Sequence, residues 1–555
     1  MRTIEENKYL SELLFSDIKE SPQDILKKYP ERNLKEGELV LRFAPSPTGF
    51  IHIGNVYTSL VGYLLTKRSN GKFILRIEDT DKVREVENGI SQIINGLEYF
   101  GIHFDEGMIN DKESKGDYGP YIQSERMNIY KVFAKDLVSK GLAYPCFCTE
   151  DELESIRKEQ TDLGTRTGYW GKWAKWREAT FDEVKRALDS NWTFVIRLYS
   201  NGNIDNKINS KDLIKGGITL SENDMDSVLL KSDGLPTYHF AHPIDDTLMR
   251  ISFVLRGDEW LSSQPLHMEI FKALGFKQLE YGHISPLMKM DGDSKRKLSK
   301  RKDPEAAVSY YIEKGYPVQG VKEYILNVAN SNFYDWRIQN PDEDILEFNI
   351  RLEKFNKAGA LFDISKLNDI CKEYISKLKA QEIYDMALEW ASKFNEDIHS
   401  KLINQKDYCI SIFNIEREGS KVRKDIVKWS DIPSQVEIFF DDMFMDMDKE
   451  SVDMDKGLQK NILNDFSDTY YPGDSVQEWF NKVKDVAIKN GFSVDSKEYE
   501  SNPKKFKGKV GDVAMILRLA VTGKKQTPDL YQVMQVMGEE RVRERIKGYI
   551  NTVLV

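Results

Sequence analysis

The sequence predicts an α/β fold built on a parallel sheet, followed by a helical region. Two apolar runs, at 39–41 and 73–77, flank a segment in which apolar residues recur at helical spacing from Val56 to Leu64. Strand, loop, helix and strand in this order form the unit that builds a parallel sheet through a right-handed crossover. Beyond residue 303 the apolar residues keep a helical period, so we expect the C-terminal part to be helical.

Composition sets the broad class of the protein. The 555 residues are too many for one hydrophobic core, and about three or four domains are expected. With 40% hydrophobic and 31% charged residues, the chain has the composition of a soluble globular protein rather than a disordered one. The formal net charge of −10 argues against a protein that coats nucleic acid indiscriminately, but it does not exclude RNA binding through a local basic face.

The sequence also bears on the compartment of the protein. No apolar run approaches the ~20 residues of a membrane-spanning helix, and the segment 1–15 lacks the apolar core of a secretion signal. Cys146, Cys148, Cys371 and Cys409 are too few for a disulfide framework in a chain of this size. We therefore expect a cytoplasmic protein with reduced thiols and no membrane association.

Residues 1–38 form a polar, charged lead-in to the first strand. It contains one short amphipathic pattern, with Leu10 and Leu14 among the apolar positions, and we expect Pro22 and Pro30 to break that pattern. We interpret this segment as an extension that docks on the sheet domain.

The sheet domain continues from residue 39 to about 120. Apolar residues from Ile90 to Phe100 keep the i, i+3, i+4, i+7 spacing of a helix, which Gly101 is expected to end. From 121 to 226 the pattern changes to a mixed insertion that is rich in aromatic residues. The sheet pattern then resumes at 227–230 and 251–255.

The helical part shows clear boundaries near its end. A stripe from Val513 to Ala520 predicts a helix that Gly523 closes, and Thr527 followed by Pro528 predicts the start of another. The acidic, methionine-rich segment 441–456 lacks the glycine and the glutamate of a calcium-binding loop, so we interpret it as solvated surface.

The most informative motif is the loop between the first strand and its helix. It reads R-F-A-P-S-P-T-G-F-I-H-I-G-N from Arg42 to Asn55. Ligands of parallel sheets bind at the carboxyl ends of strands, beside helix N-termini that favour anions. His52 and Gly54 would let a nucleotide phosphate approach the backbone while a ring N–H reaches an oxygen. The common phosphate motifs G-x-x-x-x-G-K-[ST] and G-x-G-x-x-G do not occur in the chain.

A second motif supplies cations far downstream. Residues 295–302 read K-R-K-L-S-K-R-K, six cations among eight residues, in a loop suited to closing on a polyphosphate. Taken alone, such a run is more often a solvated or nucleic-acid-binding surface. A lone His-Ile-Gly-Asn is weaker evidence still, so it is the occurrence of both motifs in this order that makes them informative.

Together the two motifs resemble the signatures of class I aminoacyl-tRNA synthetases, and the chain resembles the glutamyl-tRNA synthetase family in particular. The family's HIGH signature corresponds to His52-Ile53-Gly54-Asn55, and its KMSKS signature corresponds to Lys297-Leu298-Ser299-Lys300-Arg301. Other stretches that match the family are 42–49, 75–81, 119–126, 234–239 and 255–260. The resemblance is close from residue 39 to about 330 and looser from there to the C-terminus.

The resemblance implies the reaction and the residues of the ATP site. A glutamate carboxylate would attack the α-phosphorus of ATP, and the glutamyl group of the adenylate would pass to the terminal ribose of tRNA-Glu. His52 and Asn55 are implied as donors near the α-phosphate and the ribose. Lys297 and Lys300 are implied as clamps on the β- and γ-phosphates, where Mg²⁺ bound with ATP would share the charge. The expected catalytic residues are thus His52, Gly54, Lys297 and Lys300, and the expected ATP-binding residues are His52, Asn55 and Lys300.

The glutamate site must hold two carboxylates and one ammonium group. Arginine suits carboxylates because its planar guanidinium can bind both oxygens. By resemblance, Arg42 binds the side-chain carboxylate and Arg256 also contacts the substrate. Ser46 and Tyr238 add hydroxyl donors, and Glu78 has the charge that the α-ammonium requires.

The fold implied by the resemblance is a Rossmann-type catalytic domain split by an α+β insertion and followed by an all-α C-terminal region. The expected domains are an N-terminal extension (1–38), the first half of the catalytic domain (39–120), an insertion that binds the tRNA acceptor end (121–226), the second half with the lysine loop (227–302), a helical stem-contact domain (303–378) and a helical anticodon-binding region (379–555). We expect the protein to be a monomer.

The insertion departs from the zinc-bearing members of the family. Those members place Cys-x-Cys before Tyr-x-x-x-Cys. Here Cys146 and Cys148 are present and Tyr169 follows, but Trp173 occupies the last position. Two thiolates without a further cysteine or histidine nearby do not make a closed four-ligand site, so we expect no zinc.

Other functions fit the sequence less well. A truncated relative that glutamylates a modified tRNA base resembles only the catalytic part, and the long chain after residue 335 argues against it. Glutaminyl-tRNA synthetase would have a different sequence before the first signature, so Ala44-Pro-Ser-Pro47 disfavours it. An inactive tRNA-binding paralogue is opposed by the intact signature residues His52, Gly54, Lys297 and Lys300. A generic nucleotidyltransferase would lack the glutamate motifs. Whether tRNA-Gln is also charged depends on anticodon contacts in the least well matched region, and the sequence leaves this open.

The cysteine pair gives a first test. Because tryptophan offers no metal-binding atom, the purified protein should contain zinc well below one equivalent by elemental analysis. Stoichiometric zinc that survives dialysis against a chelator, and that disappears in Cys146→Ser, would contradict this expectation.

Overall fold

The computed structural model describes residues 2–49, 51–81, 86–299, 301–419 and 422–554. The chain divides into two compact units, one of residues 1–310 with 322–363 and the other of residues 311–321 with 364–555. Within the described residues, all strands belong to the first unit.

The strands of the first unit are short, and most are buried. They are β1 (Val40–Phe43), β2 (Lys72–Leu75), β3 (Glu106–Met108), β4 (Ser114–Lys115), β5 (Ala143–Cys146), β6 (Val195–Leu198), β7 (Lys207–Asp212), β8 (Gly216–Ser221), β9 (Val228–Leu230), β10 (Val254–Gly257), β11 (Tyr281–Ile284), β12 (Leu287–Asp291), β13 (Ser294–Lys297) and β14 (Ala360–Leu361).

The helices in the first part of the chain precede, separate or follow these strands in the sequence. They are α1 (Ile4–Leu14), α2 (Pro22–Lys28), α3 (Ile53–Arg68), α4 (Gly89–Glu98), α5 (Met127–Ser139), α6 (Glu150–Asp162), α7 (Phe181–Asp189), α8 (Tyr238–Leu248), α9 (Gln264–Leu274), α10 (Val308–Lys314), α11 (Val318–Ala329) and α12 (Phe333–Gln339).

The predicted α/β fold with a parallel sheet is confirmed. β1, β2 and β3 are parallel neighbours, and β10 pairs in parallel with β11. The two groups adjoin because Ser252 N–H donates to the Val40 carbonyl and Val40 N–H donates to Ser252 Oγ, each at 2.9 Å. α3 follows β1 and packs on β1, β2 and β10. The carboxyl ends of these strands therefore lie along one edge of the sheet.

The N-terminal extension forms two helices that pack on α5, within the expected insertion. Its Arg32 forms an ion pair with Glu106 of β3, and this contact confirms the expected docking on the sheet domain. The expectation that Pro22 breaks the helical pattern is wrong. Ser21 caps α2, and Pro22 occupies its first turn, where the missing N–H costs no hydrogen bond.

The insertion contains a small antiparallel sheet in the order β5-β6-β9. The expectation that the parallel sheet resumes at 227–230 is therefore wrong, because β9 pairs antiparallel with β6. A short apolar run indicates a buried strand, but it does not specify the neighbour of that strand. The run at 251–255 does return to the parallel sheet, as β10.

The helices after residue 363 form the core of the second unit, as the helical period predicts. They are α13 (Ile364–Ser376), α14 (Ala380–Phe394), α15 (Glu396–Asn404), α16 (Lys406–Asn414), α17 (Ile432–Val436), α18 (Asp441–Asp446), α19 (Lys456–Thr469), α20 (Val476–Lys489), α21 (Ser496–Ser501), α22 (Val510–Thr522), α23 (Leu530–Met537) and α24 (Glu539–Thr552).

The stripe from Val513 to Ala520 is buried on α22, and Gly523 ends this helix with a φ of +70°, as expected. The predicted start of the next helix is wrong by two residues, since Asp529 rather than Thr527 caps α23. Arg518 Nη1 donates to the carbonyls of Thr527 and Pro528, which keeps both residues outside the helix. The acidic segment 441–456 is mostly exposed, as expected.

Among the described residues, no helix has the length and hydrophobicity needed to cross a bilayer. Cys146, Cys148, Cys371 and Cys409 are all free thiols.

Candidate active site

A cavity of about 380 Å³ opens at the carboxyl ends of β1, β2, β10 and β11. The residues that line it include Arg42, His52, Gly54, Asn55, Glu78, Tyr238, Arg256 and Lys297, all of which the sequence singles out. Of the remaining candidates, Ser46 is exposed and does not appear among the described lining residues. Lys300 lies outside the described residues.

His52 caps the helix that follows the first strand. Its Nδ1 accepts a hydrogen bond from Gly54 N–H at 2.9 Å, and its backbone N–H donates to Asn55 Oδ1 at 3.1 Å. Since Nδ1 accepts, the proton of the neutral imidazole is on Nε2. A Cβ on Gly54 would lie only 3.1 Å from His52 Nδ1, so a larger residue there would crowd the cap. The motif thus places a ring N–H at a helix N-terminus, where anions bind favourably.

The lysine segment and the histidine segment are physically connected. Arg296 on β13 forms a two-pronged ion pair with Asp303, at 2.6 and 2.8 Å, and Ser299 N–H donates to the same carboxylate at 2.9 Å. The Arg296 guanidinium holds the pKa of Asp303 well below its usual range. A few residues later, Val308 N–H donates to the Ile51 carbonyl at 3.1 Å. The two motifs therefore converge on one cavity.

A buried carboxylate fixes Arg42. Asp246 on α8 accepts from Arg42 Nε, at 3.1 Å to each oxygen, and from Arg76 Nη1 at 2.6 Å. Burial alone would raise the pKa of Asp246, but Arg42, Arg76 and His242 outweigh burial and hold that pKa well below its usual range. Arg42 Nη1 donates to the Leu255 carbonyl at 3.0 Å. Among the described residues, none accepts from Arg42 Nη2, which leaves this edge of the guanidinium for a ligand.

Glu78 lies beside the same arginines. Arg76 Nη2 donates to Glu78 Oε1 at 3.2 Å, and the Glu78 side chain is 11% exposed. Burial raises the pKa of Glu78 to about 6, against the opposing effect of Arg76 and Arg42. A raised pKa means that the negative charge is incompletely compensated, so a cation bound next to Glu78 would be stabilised.

Arg256 is held by rings rather than by carboxylates. Its Nε donates to His283 Nε2 at 3.0 Å, and its Nη1 donates to Tyr238 Oη at 3.1 Å and lies 3.2 Å from His267 Nδ1. Arginine can only donate, so both imidazoles present an unprotonated nitrogen to it and are neutral. Burial lowers the pKa of His283, and lowers that of His267 well below the usual range.

The tautomers of these histidines follow from Arg256. His283 Nδ1 carries its proton and donates to Asp212 Oδ2 at 2.6 Å. His267 Nε2 carries its proton and donates to His239 Nδ1 at 3.0 Å. The orientation of Arg256 is thus set by a chain of neutral rings.

Three residues that support the site, Asp246, His267 and His283, were not predicted from the sequence. A signal for Asp246 was available, because a pair of aspartates interrupts the mostly apolar segment 240–248, and Asp245 and Asp246 are both fully buried. Charged residues in such a segment require buried partners. The histidines gave no comparable signal, since their common partner, Arg256, is distant in sequence.

The cysteine pair of the insertion lies around a tyrosine. Tyr169 Oη lies 3.4 Å from Cys146 Sγ and 3.4 Å from Cys148 Sγ. The rings of Trp170 and Trp173 pack edge to face at 4.7 Å. In the part of the chain that the structure describes, no group of three or more histidine, cysteine, aspartate or glutamate side chains is placed to hold a metal ion.

Family models match two regions of the chain. One, described as tRNA synthetases class I (E and Q), catalytic domain, matches residues 38–369. The other, described as anticodon binding domain, matches residues 497–550.

Close relatives and a solved structure cover almost the whole chain. The chain is 46% identical over 545 residues to a glutamate–tRNA ligase of Clostridium perfringens (strain SM101 / Type A), which covers 98% of this chain and 99% of the relative. It is 46% identical over 543 residues to a glutamate–tRNA ligase of Acetivibrio thermocellus, with 97% and 99% covered. The crystal structure of a glutamate tRNA ligase from Elizabethkingia meningosepticum in complex with its amino acid superposes with a TM-score of 0.74 at 29% identity, over 93% of this chain and 99% of that chain.

Replacing the shared carboxylate tests the arginine arrangement. Asp246→Asn leaves Arg42 and Arg76 buried without their counter-ion, so we expect the free energy of unfolding to fall by about 3–5 kcal/mol. Urea denaturation with hydrogen exchange of α8 measures this change. Asp189→Asn, at an exposed position of α7, is the matched control and should change stability by less than about 0.5 kcal/mol. Equal losses in both variants would contradict the assignment.

Proposed function

Because the chain belongs to the glutamate–tRNA ligase family of the class I tRNA synthetases, we propose that it attaches L-glutamate to tRNA-Glu in an ATP-dependent reaction through a glutamyl-adenylate. The observation that carries the proposal is one cavity that holds both kinds of group the reaction needs. Arg42, Glu78 and Arg256 face it together with His52 and Lys297.

The charges of one half of the cavity complement a dicarboxylic amino acid. Two guanidinium groups and one carboxylate match two carboxylates and one ammonium group. In this proposal the free edge of Arg42 binds the side-chain carboxylate, Glu78 binds the α-ammonium, and Arg256 with Tyr238 contacts the substrate from the other side. Ser46 is exposed in the structure, so its proposed hydroxyl contact would require the loop that carries it to approach the ligand.

The other half of the cavity, around His52 and Lys297, suits a nucleoside triphosphate. His52 Nε2–H and the Asn55 amide are proposed donors to the α-phosphate and ribose, at a helix N-terminus that favours anions. The Lys297 side chain is 60% exposed, and its Nζ lies 3.8 Å from Glu259 Oε2, a weak ion pair. The ammonium group can therefore leave Glu259 and bind a phosphate. We propose that Lys300, from the same signature, acts with it. Mg²⁺ would arrive on the β- and γ-phosphates and neutralise charge during displacement.

We further propose that the second unit binds the anticodon part of the tRNA, through the region that matches an anticodon binding domain. The candidate phosphate contacts in this region are Lys504, Lys505, Lys507, Lys509, Lys524 and Lys525.

The decisive experiment is aminoacylation by the purified chain with each amino acid and each tRNA. We expect glutamate, and not glutamine or aspartate, to be joined to tRNA-Glu when ATP and Mg²⁺ are present. The same assay with tRNA-Gln decides whether that tRNA is a second substrate. Failure to charge tRNA-Glu with glutamate, in a preparation that binds ATP, would refute the proposal.

Glutamate binding should weaken in mild acid. The folded-state pKa of Glu78 is about 6, so the carboxylate that binds the ammonium is lost as the pH falls through that value. The carboxyl groups of free glutamate titrate lower, at about 4.3 and below, and contribute little in this window. The dissociation constant of glutamate can be measured by calorimetry from about pH 7 to about pH 5. Below about pH 6 it should approach a tenfold rise for each pH unit of acidification.

Two variants isolate this effect. Glu78→Gln should bind glutamate weakly, with a dissociation constant that does not change with pH across the same range. Glu259→Gln, which removes another carboxylate of the cavity, should keep the wild-type profile. A wild-type profile in Glu78→Gln would show that a different group binds the ammonium.

A further inference from the structure

We propose that the N-terminal extension is a strap that positions the insertion for the tRNA acceptor end. The strap is defined as residues 2–32. The inference rests on the proposed function, because its consequence appears in tRNA charging. The two ends of the strap contact different parts of the first unit.

The first end of the strap contacts the insertion. Arg2 Nη1 donates to the Ala179 carbonyl at 2.5 Å, and the Tyr9 ring packs on the Phe181 ring with centroids 5.6 Å apart. Ala179 and Phe181 flank Thr180, the residue that caps α7. Arg2 is itself held by α1, because its Nε donates to Asn7 Oδ1 at 3.3 Å. The strap therefore binds the start of an insertion helix.

α1 also covers a turn within the insertion. α5 ends at Ser139 and β5 begins at Ala143, so residues 140–142 carry the chain from one element to the other. Gly141 has a φ of +70°, and a Cβ there would lie 2.9 Å from Asn7 Nδ2. Asn7 is 8% exposed. α1 thus packs along α5 and against this turn, which restricts how the turn can move.

The other end of the strap is anchored at the parallel sheet. Arg32 forms a two-pronged ion pair with Glu106 of β3, at 2.6 and 2.9 Å, and donates to the Met249 carbonyl at 3.1 Å. Its guanidinium lies 3.7 Å from the centroid of the Tyr118 ring. The Arg32 side chain is 7% exposed, and Met249 ends α8, the helix that carries Asp246. This end is therefore fixed to the framework of the active site.

The ion pairs in the middle of the strap are exposed. Lys131 and Lys135 of α5 pair with Asp17 and Glu12 at 3.2 and 2.8 Å. Both carboxylates are 62% exposed, so these pairs contribute little. Buried apolar side chains, among them Leu10, Phe15 and Ile18, also hold the middle of the strap to the first unit. The strap is therefore attached along its length, with its polar anchors at the two ends. Since the acceptor end must reach the adenylate in the cavity, a misplaced insertion would slow transfer without disturbing small-substrate binding.

The test uses the full chain and the variant Arg2→Leu, which removes the donor to Ala179. We expect kcat/KM for tRNA-Glu to fall about fivefold or more, the scale of one lost positioning hydrogen bond. The dissociation constants of glutamate and ATP and the Tm should stay at wild-type values, and hydrogen exchange at 179–184 should accelerate. Arg2→Lys, which restores a donor, should recover charging. Lys8→Ala, at an exposed position on α1, is the matched control and should match the wild type in every readout.

Phe181→Ala repeats the test from the insertion side. It should likewise lower kcat/KM for tRNA-Glu and leave the dissociation constants of glutamate and ATP unchanged. Faster exchange at 179–184 with unchanged charging would overturn the proposal, as would an equal loss of glutamate binding and charging. The proposed function fails separately, if the wild-type chain does not charge tRNA-Glu at all.

Discussion

The site depends on two adjacent buried carboxylates on one helix. Asp246 binds Arg42 of β1 and Arg76, which directly follows β2. Asp245 accepts from Arg126 Nε at 2.7 Å and from Gln123 Nε2 at 2.9 Å. Consecutive helix residues point in different directions, so one turn of α8 holds both the strand ends and the 119–126 segment. Buried ion pairs gain little net stability, but breaking one leaves an uncompensated charge. The arrangement therefore specifies where the arginines lie more than it stabilises the fold.

Around this framework, the two signature segments meet through the backbone and through one aspartate. The ion pair of Arg296 with Asp303 shapes the end of the lysine loop, and the Val308 to Ile51 hydrogen bond ties the following residues to the histidine segment. Phosphoryl chemistry needs positioned charges more than reactive side chains. Arg296 and Ser299 are both anchored to Asp303, while the Lys297 side chain between them is exposed. Lys297 can therefore supply charge to a ligand while the residues on either side of it stay fixed.

Much of this could be predicted from sequence, for identifiable reasons. The motifs lie in strand-to-helix loops, so their neighbours along the chain also line the cavity, and the resemblance adds Tyr238 and Arg256. The errors came where the local pattern is ambiguous. Pro22 can end one helix or begin the next, and an apolar run such as 228–230 does not specify its partner strand. The supporting shell of His267 and His283 depends on contacts distant in sequence, which no local pattern encodes.

The rings around Arg256 have an electrostatic consequence. Arg42 is neutralised by Asp246, but among the described residues no carboxylate contacts Arg256, whose donors go to neutral imidazoles, a phenol and a carbonyl. Its full positive charge is therefore offered to the cavity in a poorly solvated place, where a charge acts strongly. Small inorganic anions should occupy this position whenever the amino acid is absent. Chloride or sulfate in a buffer would then behave as a competitor of the substrate, and the ionic composition of the medium would set the apparent affinity.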